Sequence, residues 1–200
     1  MRRFMSRSWR AMRGWLSLPE RLTIALAGGG ILLALILPIW KIFLLSQQYP
    51  KGLSLYIHAR SLEGDVQNIN ILNHYIGMKP LSTATFPEFT WMAPVLMGLG
   101  ALFLLASLVG RRELLPLVSL VLLGFCVFML WDMSTWLHAW GHELDPRAPM
   151  TIDPFTPPTL GYRRIANFTV WSLPNWGGGL IILASMMGPW LLWRNFRRSS

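Results

Sequence analysis

The chain has 200 residues, 53% of them hydrophobic and only 14% charged, with a formal charge of +9 and a mean hydropathy of +0.41. That balance excludes an ordinary water-soluble domain and points to lipid as the solvent. A lone cysteine, Cys126, excludes an intramolecular disulfide and a cysteine-built zinc site.

In chain order, residues 1–21 carry Arg2, Arg3, Arg7, Arg10, Arg13 and Arg21, and read as a basic cytoplasmic tail or an amphipathic segment on anionic lipid. Residues 22–45 are the first apolar run long enough to span, since crossing ~30 Å of hydrocarbon takes roughly 20 helical residues. The run continues through Pro38, which predicts a kink, and has no small-residue cleavage pattern, so it reads as a retained signal-anchor. An outer loop over 46–88 follows. Within it Gly52 to Ala59 alternates as a strand does, while Val66, Ile69, Leu72 and Ile76 describe one face of a helix from Asp65 to Gly77.

Residues 89–109 and 114–137 are the second and third spans, joined by a tight inner loop at 110–113. The second outer loop, 138–175, contains Pro146, Pro149, Pro154, Pro157 and Pro158, which exclude regular structure there and favour an extended, ordered lid. Residues 176–193 form a fourth, glycine-rich span before a cytoplasmic tail at 194–200. The expected architecture is an all-α membrane protein: four transmembrane helices, N-in and C-in, with a small irregular outer cap from the two long loops.

Orientation follows from arginine, which cytoplasmic segments retain. The N-terminal arginines, Arg111, Arg112, Arg194, Arg197 and Arg198 face only Glu20 and Glu113, whereas the outer segments are charge-balanced. The net charge is therefore a topology signal, and nucleic acid is not an expected partner. Expected partners are the lipid bilayer and another membrane or periplasmic protein, and the expected location is the bacterial cytoplasmic (inner) membrane.

All four histidines, His58, His74, His138 and His142, fall on the outer side. His138 and His142 are four apart, a common metal-ligand spacing if the helix runs past Leu137. His74 and Met78 repeat the spacing, as do Glu88 and Met92. Imidazole with thioether suits a soft ion such as Cu(I) and needs no thiolate. The candidate copper ligands are His74, Met78, Met92, His138 and His142, with Glu88 or Asp132 fixing an imidazole tautomer. The competing reading has the histidines bonded to loop backbone and methionine filling gaps between helices.

Asp132 lies inside the third span, where facing lipid would cost roughly 2.5 to 3.5 kcal/mol. It must face protein or water, with Lys41 or His138 as an ion-pair partner, or serve a proton relay or metal site. The tryptophans near the span ends read as an aromatic belt. The runs Gly28 to Gly30 and Gly177 to Gly179 read as close-approach surfaces between helices. No nucleophile, phosphate-loop, HExxH or covalent-haem motif is present in the sequence, so catalysis is not the leading expectation.

Two stretches carry a family likeness: Gly64-Asp65-Val66-Gln67-Asn68-Ile69-Asn70 with Leu72-Asn73-His74-Tyr75-Ile76-Gly77-Met78, and His142-Glu143-Leu144-Asp145-Pro146-Arg147-Ala148-Pro149 running on to Pro154-Phe155 and Ile165-Ala166-Asn167-Phe168. They resemble small integral-membrane accessory proteins of bacterial copper-dependent respiration, of the nitrous oxide reductase maturation type. The resemblance implies an inner-membrane accessory protein that binds or passes copper on its periplasmic face. Two other readings stand beside it: a metal-free assembly subunit of a respiratory complex, and a small transporter or membrane-embedded enzyme using Asp132.

Overall fold

The structure is a computed structural model and describes residues 14–165 and 167–198. Most of the N-terminal segment expected as a tail or amphipathic helix lies outside the described residues.

Helix α1 (Leu18–Leu33) begins at a capping box between Ser17 and Glu20, with Pro19 in the first turn where its missing N–H is harmless. It ends well before Leu45. Past Pro38, the chain becomes strand β1 (Trp40–Ser46), followed by β2 (Leu53–Ile57) and β3 (Leu62–Gly64). Helix α2 (Val66–Ile76) starts after Asp65 and stops at Gly77, whose φ of 79° is left-handed. These bounds match the strand and surface helix read from the sequence. Helices α3 (Glu88–Val109) and α4 (Leu114–His142) follow, then β4 (Gly161–Ile165), β5 (Phe168–Pro174) and α5 (Trp176–Arg198).

The strands form one antiparallel sheet in the order β3-β2-β1-β5-β4. This corrects the expected all-α, four-span architecture with an irregular cap. Among the described residues only α3 and α4 are long and apolar enough to cross a membrane. Helix α1 has 16 residues and the apolar part of α5 is limited to Trp176–Leu191, both short of the roughly 20 a span requires.

The error over residues 22–45 has a physical source. Along β1, Ile42 and Leu44 line an apolar chamber on one side of the sheet, whereas Lys41 and Phe43 line a shallow groove on the other. That second face is itself aromatic: the Phe43 and Trp171 rings lie 5.8 Å apart, and Lys41 Nζ sits 5.4 and 5.3 Å from the Phe43 and Tyr56 ring centres. With both faces apolar, the period-2 alternation of a strand disappears and the run imitates a continuing helix.

Helix α1 packs on α3 and α5, and α4 packs on α5 and α3. The α1–α3 approach is close because Gly28 and Gly100 face one another: a Cβ on Gly28 would stand 3.0 Å from the Gly100 carbonyl. Only 22% of the apolar window of α4 is buried, against 44% for α3. Leu117, Leu120, Leu123, Val127, Phe128 and Trp131 are exposed on α4, a face unlike that of a helix in a soluble core.

The arginine-rich ends of the helices meet at one end of the bundle. Arg21 Nε donates to the Ser107 carbonyl at 2.7 Å and a second guanidinium nitrogen donates to Leu108, placing a cation on the last carbonyls of α3. Glu20, 2% exposed, accepts from Arg112 at 3.3 Å and Arg194 at 3.0 Å as well as from Ser17 N and Oγ. The sheet occupies the opposite end. It is tied to the bundle by Asn175 N donating to Ile39 O and Gly177 N to Pro38 O, each at 2.9 Å.

The proline-rich segment has neither helix nor strand between Glu143 and Leu160. It is nevertheless anchored. Asp145 N donates to Gly77 O (2.8 Å), Met150 N to Tyr75 O (3.0 Å) and Phe155 N to Gly141 O (3.0 Å). At Gly141 a Cβ would fall 1.7 Å from the Phe155 carbonyl, so only glycine admits this crossing.

Candidate functional site

Two apolar chambers lie where the bundle meets the sheet. The first, about 170 Å³, is roofed by β1, β2 and β5 and walled by α2 and α4. The second, about 250 Å³, runs down between α3, α4 and α5. Ile57, Leu62, Phe86, Met133 and Trp136 line both, so they form the partition between adjoining spaces.

Glu88 and Asp132 both line the second chamber. Glu88 opens α3, where the helix N-terminus favours a negative charge, and is only 9% exposed. Its Oε1 accepts from Trp136 Nε1 at 3.2 Å, while Oε2 is buried and meets no N–H or hydroxyl donor. The Asp132 carboxyl, from α4, lies within hydrogen-bonding as well as electrostatic reach of Glu88. Cys126, Met129 and Met92 line the surrounding wall.

The partners expected for Asp132 are engaged elsewhere. Lys41 stands on the far face of the sheet over Phe43 and Tyr56. His138 Nδ1 lies 3.2 Å from Thr156 Oγ1. Among the described residues Asp132 makes no ion pair with a basic side chain. It is partly buried at the wall of the second chamber, and its neighbour there is a second acid.

The histidine pair forms as its spacing predicts, because α4 continues past Leu137 to His142. The two rings are stacked, 3.9 Å between centroids and 27° between planes. His142 Nδ1 lies 2.9 Å from the His138 carbonyl. A carbonyl only accepts, so Nδ1 carries the proton and Nε2 of the neutral ring carries a lone pair. Both residues are exposed.

The other candidate ligands are dispersed. His74 is exposed on α2 beside the Tyr75 ring, Met78 lines the first chamber and Met92 the second. Among the described residues, no three His, Cys, Asp or Glu side chains converge as a metal-binding group. Of the five candidate donors the structure brings only the two imidazoles side by side, as stacked rings. The His142 tautomer is fixed by a backbone carbonyl and the His138 ring is held by Thr156, not by Asp132 or Glu88.

Next to the pair, Lys79 Nζ meets Glu143 at 2.5 Å. The lysine holds the exposed Glu143 carboxyl below its ordinary range, by hydrogen bond first and charge second. His58 Nε2 lies 3.4 Å from Glu63, in the β2–β3 turn.

Sequence reasoning missed Trp136, Thr156 and the methionine wall. Asp132, Trp136 and Trp140 are successive i, i+4 positions, so a helix running through His142 already puts them on one face. Two tryptophans assigned to the aromatic belt are internal instead. Trp40, 8% exposed, donates to Ser172 Oγ at 2.8 Å, and Trp140, 4% exposed, donates to the Lys79 carbonyl at 2.7 Å. Compared with protein families, with curated proteins and with solved structures, the chain finds no match.

Proposed function

We propose that this is a multi-pass protein of the bacterial inner membrane, crossing it with at least α3 and α4, and that it serves as an accessory protein passing copper at its periplasmic face during maturation of a respiratory enzyme. The observation that carries the reading is the stacked, exposed His138–His142 pair, whose His142 Nδ1 is committed to the His138 carbonyl. That hydrogen bond is the kind that orients a metal-ligating imidazole. Copper here is cargo. Two imidazoles from this chain leave the remaining donors to the protein that delivers the ion or accepts it. Support for the setting comes from the exposed apolar face of α4, the gathering of arginine at the end of the bundle remote from the pair, and the resemblance carried by residues 64–78 and 142–168.

The test is Cu(I) titration of the purified full chain against a chromophoric chelator. One ion per chain is expected, with affinity falling at least tenfold in His138→Ala and His142→Ala. His74→Ala measures whether α2 adds a donor. No copper affinity in the parent protein would overturn the reading. The metal-free assembly role would then stand, favoured by the free edge of β4, where Tyr162 is 73% exposed beside exposed Arg163 and Arg164. An edge strand of this kind accepts a strand from a partner.

A further inference from the structure

We infer that the free edge of β4 docks an extended acidic segment of a partner protein, which joins the sheet as an added antiparallel strand. The inference goes beyond copper passage, uses neither histidine of the pair, and gives the occupant of this edge a definite chemistry.

Strand β4 closes the sheet order, and among the described residues no loop backbone bonds to Gly161–Ile165 from the open side. The ladder within the sheet determines which groups face outward. In antiparallel pairing, alternate residues turn both N–H and C=O to one neighbour and the intervening residues turn theirs to the other. Asn175 N bonds to Ile39 O, so Leu173, Trp171 and Thr169 are the β5 residues turned towards β1, opposite Lys41, Phe43 and Leu45. Ser172, Val170 and Phe168 are left for β4, opposite Gly161, Arg163 and Ile165. The N–H and C=O groups of Tyr162 and Arg164 therefore point away from the sheet, ready to pair with an incoming strand.

The side chains select the occupant. Tyr162, Arg163 and Arg164 are all exposed. Arg163 Nη1 donates to the Thr156 carbonyl at 3.1 Å, and among the described residues neither guanidinium forms an ion pair. Tyr162 stands opposite Trp171, and Trp171 opposite Phe43, so an apolar residue facing Tyr162 extends a row of rings. Ile165 lines the first chamber and favours an apolar neighbour on that side. The complementary strand thus reads apolar, acid, acid, apolar, with carboxylates opposite the two arginines.

The same charges reject the other occupants. Two copies paired antiparallel through β4 would bring arginine against arginine, and like charges across a ladder repel. The N-terminal stretch of this chain, with arginines and no acid before Gly14, is no better matched. The opposite sheet edge, β3, has only three residues, and its Glu63 is engaged by His58 and Ser61.

The experiment uses the full chain in a non-ionic detergent and a labelled, end-blocked peptide, Thr-Val-Glu-Glu-Val-Thr, followed by fluorescence anisotropy. Saturable binding is expected, with the peptide carrying lysine for both glutamates at least tenfold weaker. Arg163→Glu combined with Arg164→Glu is expected to reverse that preference, a gain that a misfolded chain would not show. In the antiparallel register the amides of the first glutamate and the second valine face β4, so N-methylation of those two is expected to abolish binding. N-methylation of the first valine and the second glutamate is expected to be tolerated. If both methylated peptides bind as well as the parent, the arginines attract an anion only and the proposal is overturned. Absence of binding by the glutamate peptide overturns it too, as does a preference that survives the double reversal. Self-association of the chain that the glutamate peptide reverses would overturn it in favour of a second copy. Copper titration of the same samples reads His138 and His142 separately, so failure at one site is distinguishable from failure at the other.

Discussion

Two buried carboxylates at opposite ends of the bundle are handled in opposite ways. Glu20 is 2% exposed and surrounded by donors from Ser17, Arg112 and Arg194, which join the start of α1, the α3–α4 loop and the end of α5. Glu88 is 9% exposed, takes one indole N–H, and has a second acid for a neighbour. Burial is nearly equal, so it does not separate the two; the supply of donors does. The arginine-rich end uses a buried charge to hold helices together, whereas the end beside the sheet sets one against a second acid at the wall of a cavity.

The sharpest way to break this contrast is Glu20→Ala. It leaves Arg112 and Arg194 without their acceptor, and a cost of ~3–5 kcal/mol is expected from breaking a buried ion pair. Thermal unfolding in detergent should show it as the largest loss in the series. Gly141→Ala comes next, because its Cβ meets the Phe155 carbonyl and the proline-rich segment must move. Overpacking of this kind costs ~1–3 kcal/mol, and limited proteolysis between Glu143 and Leu160 should accelerate.

Glu88→Gln should behave unlike either. Since no basic side chain among the described residues pairs with Glu88 and its neighbour is a second acid, stability should stay within ~1 kcal/mol of the parent or rise, again by thermal unfolding. If instead it falls as far as in Glu20→Ala, the Glu88 carboxylate is structural and the contrast fails. The smallest effect belongs to Lys79–Glu143. A carboxyl held below its ordinary value adds stability above the normal glutamate range and loses it as pH falls through the lowered value. The pair is exposed and salt-screened, so Glu143→Gln should abolish only a slight acid-side decline in unfolding temperature.

What was legible in the sequence depended on whether a pattern had one physical cause. Helix α2 was readable because its apolar positions, its Asp65 start and its Gly77 stop agree. Helices α3 and α4 followed from apolar length, and the histidine pair followed from the continuation of α4. Strand β1 was not readable, because Phe43 and Trp171 make its outer face apolar and erase the alternation. Strands β4 and β5 lay in a loop judged by its prolines, although those prolines end at Pro158, before either strand begins.

The candidate site divided in the same way. Spacing along one helix found His138 with His142, and Glu88 with Met92. It had no means of finding that Asp132 faces Glu88 across two helices, or that Lys41 would be carried to the far side of a sheet by the turn at Pro38. Arginine was read only as a signal of sidedness. Arg21, Arg112 and Arg194 also bind helix ends and a buried acid, a role that needs a partner distant in sequence.

The pairing of β1 with β5, from Trp40↔Pro174 to Ser46↔Phe168, has a mechanical consequence. Strand β1 begins shortly after α1 ends and β5 ends just before α5 begins, and hydrogen bonds at Pro38 and Ile39 clamp the corner, so α1, β1, β5 and α5 make one frame. Helix α4 is fastened to that frame by its packing on α5 and, at its outer end, leads into an irregular tether. Helix α4 stands outside that frame, so a change in its packing on α3 and α5 is expected to leave the β1–β5 register unaltered.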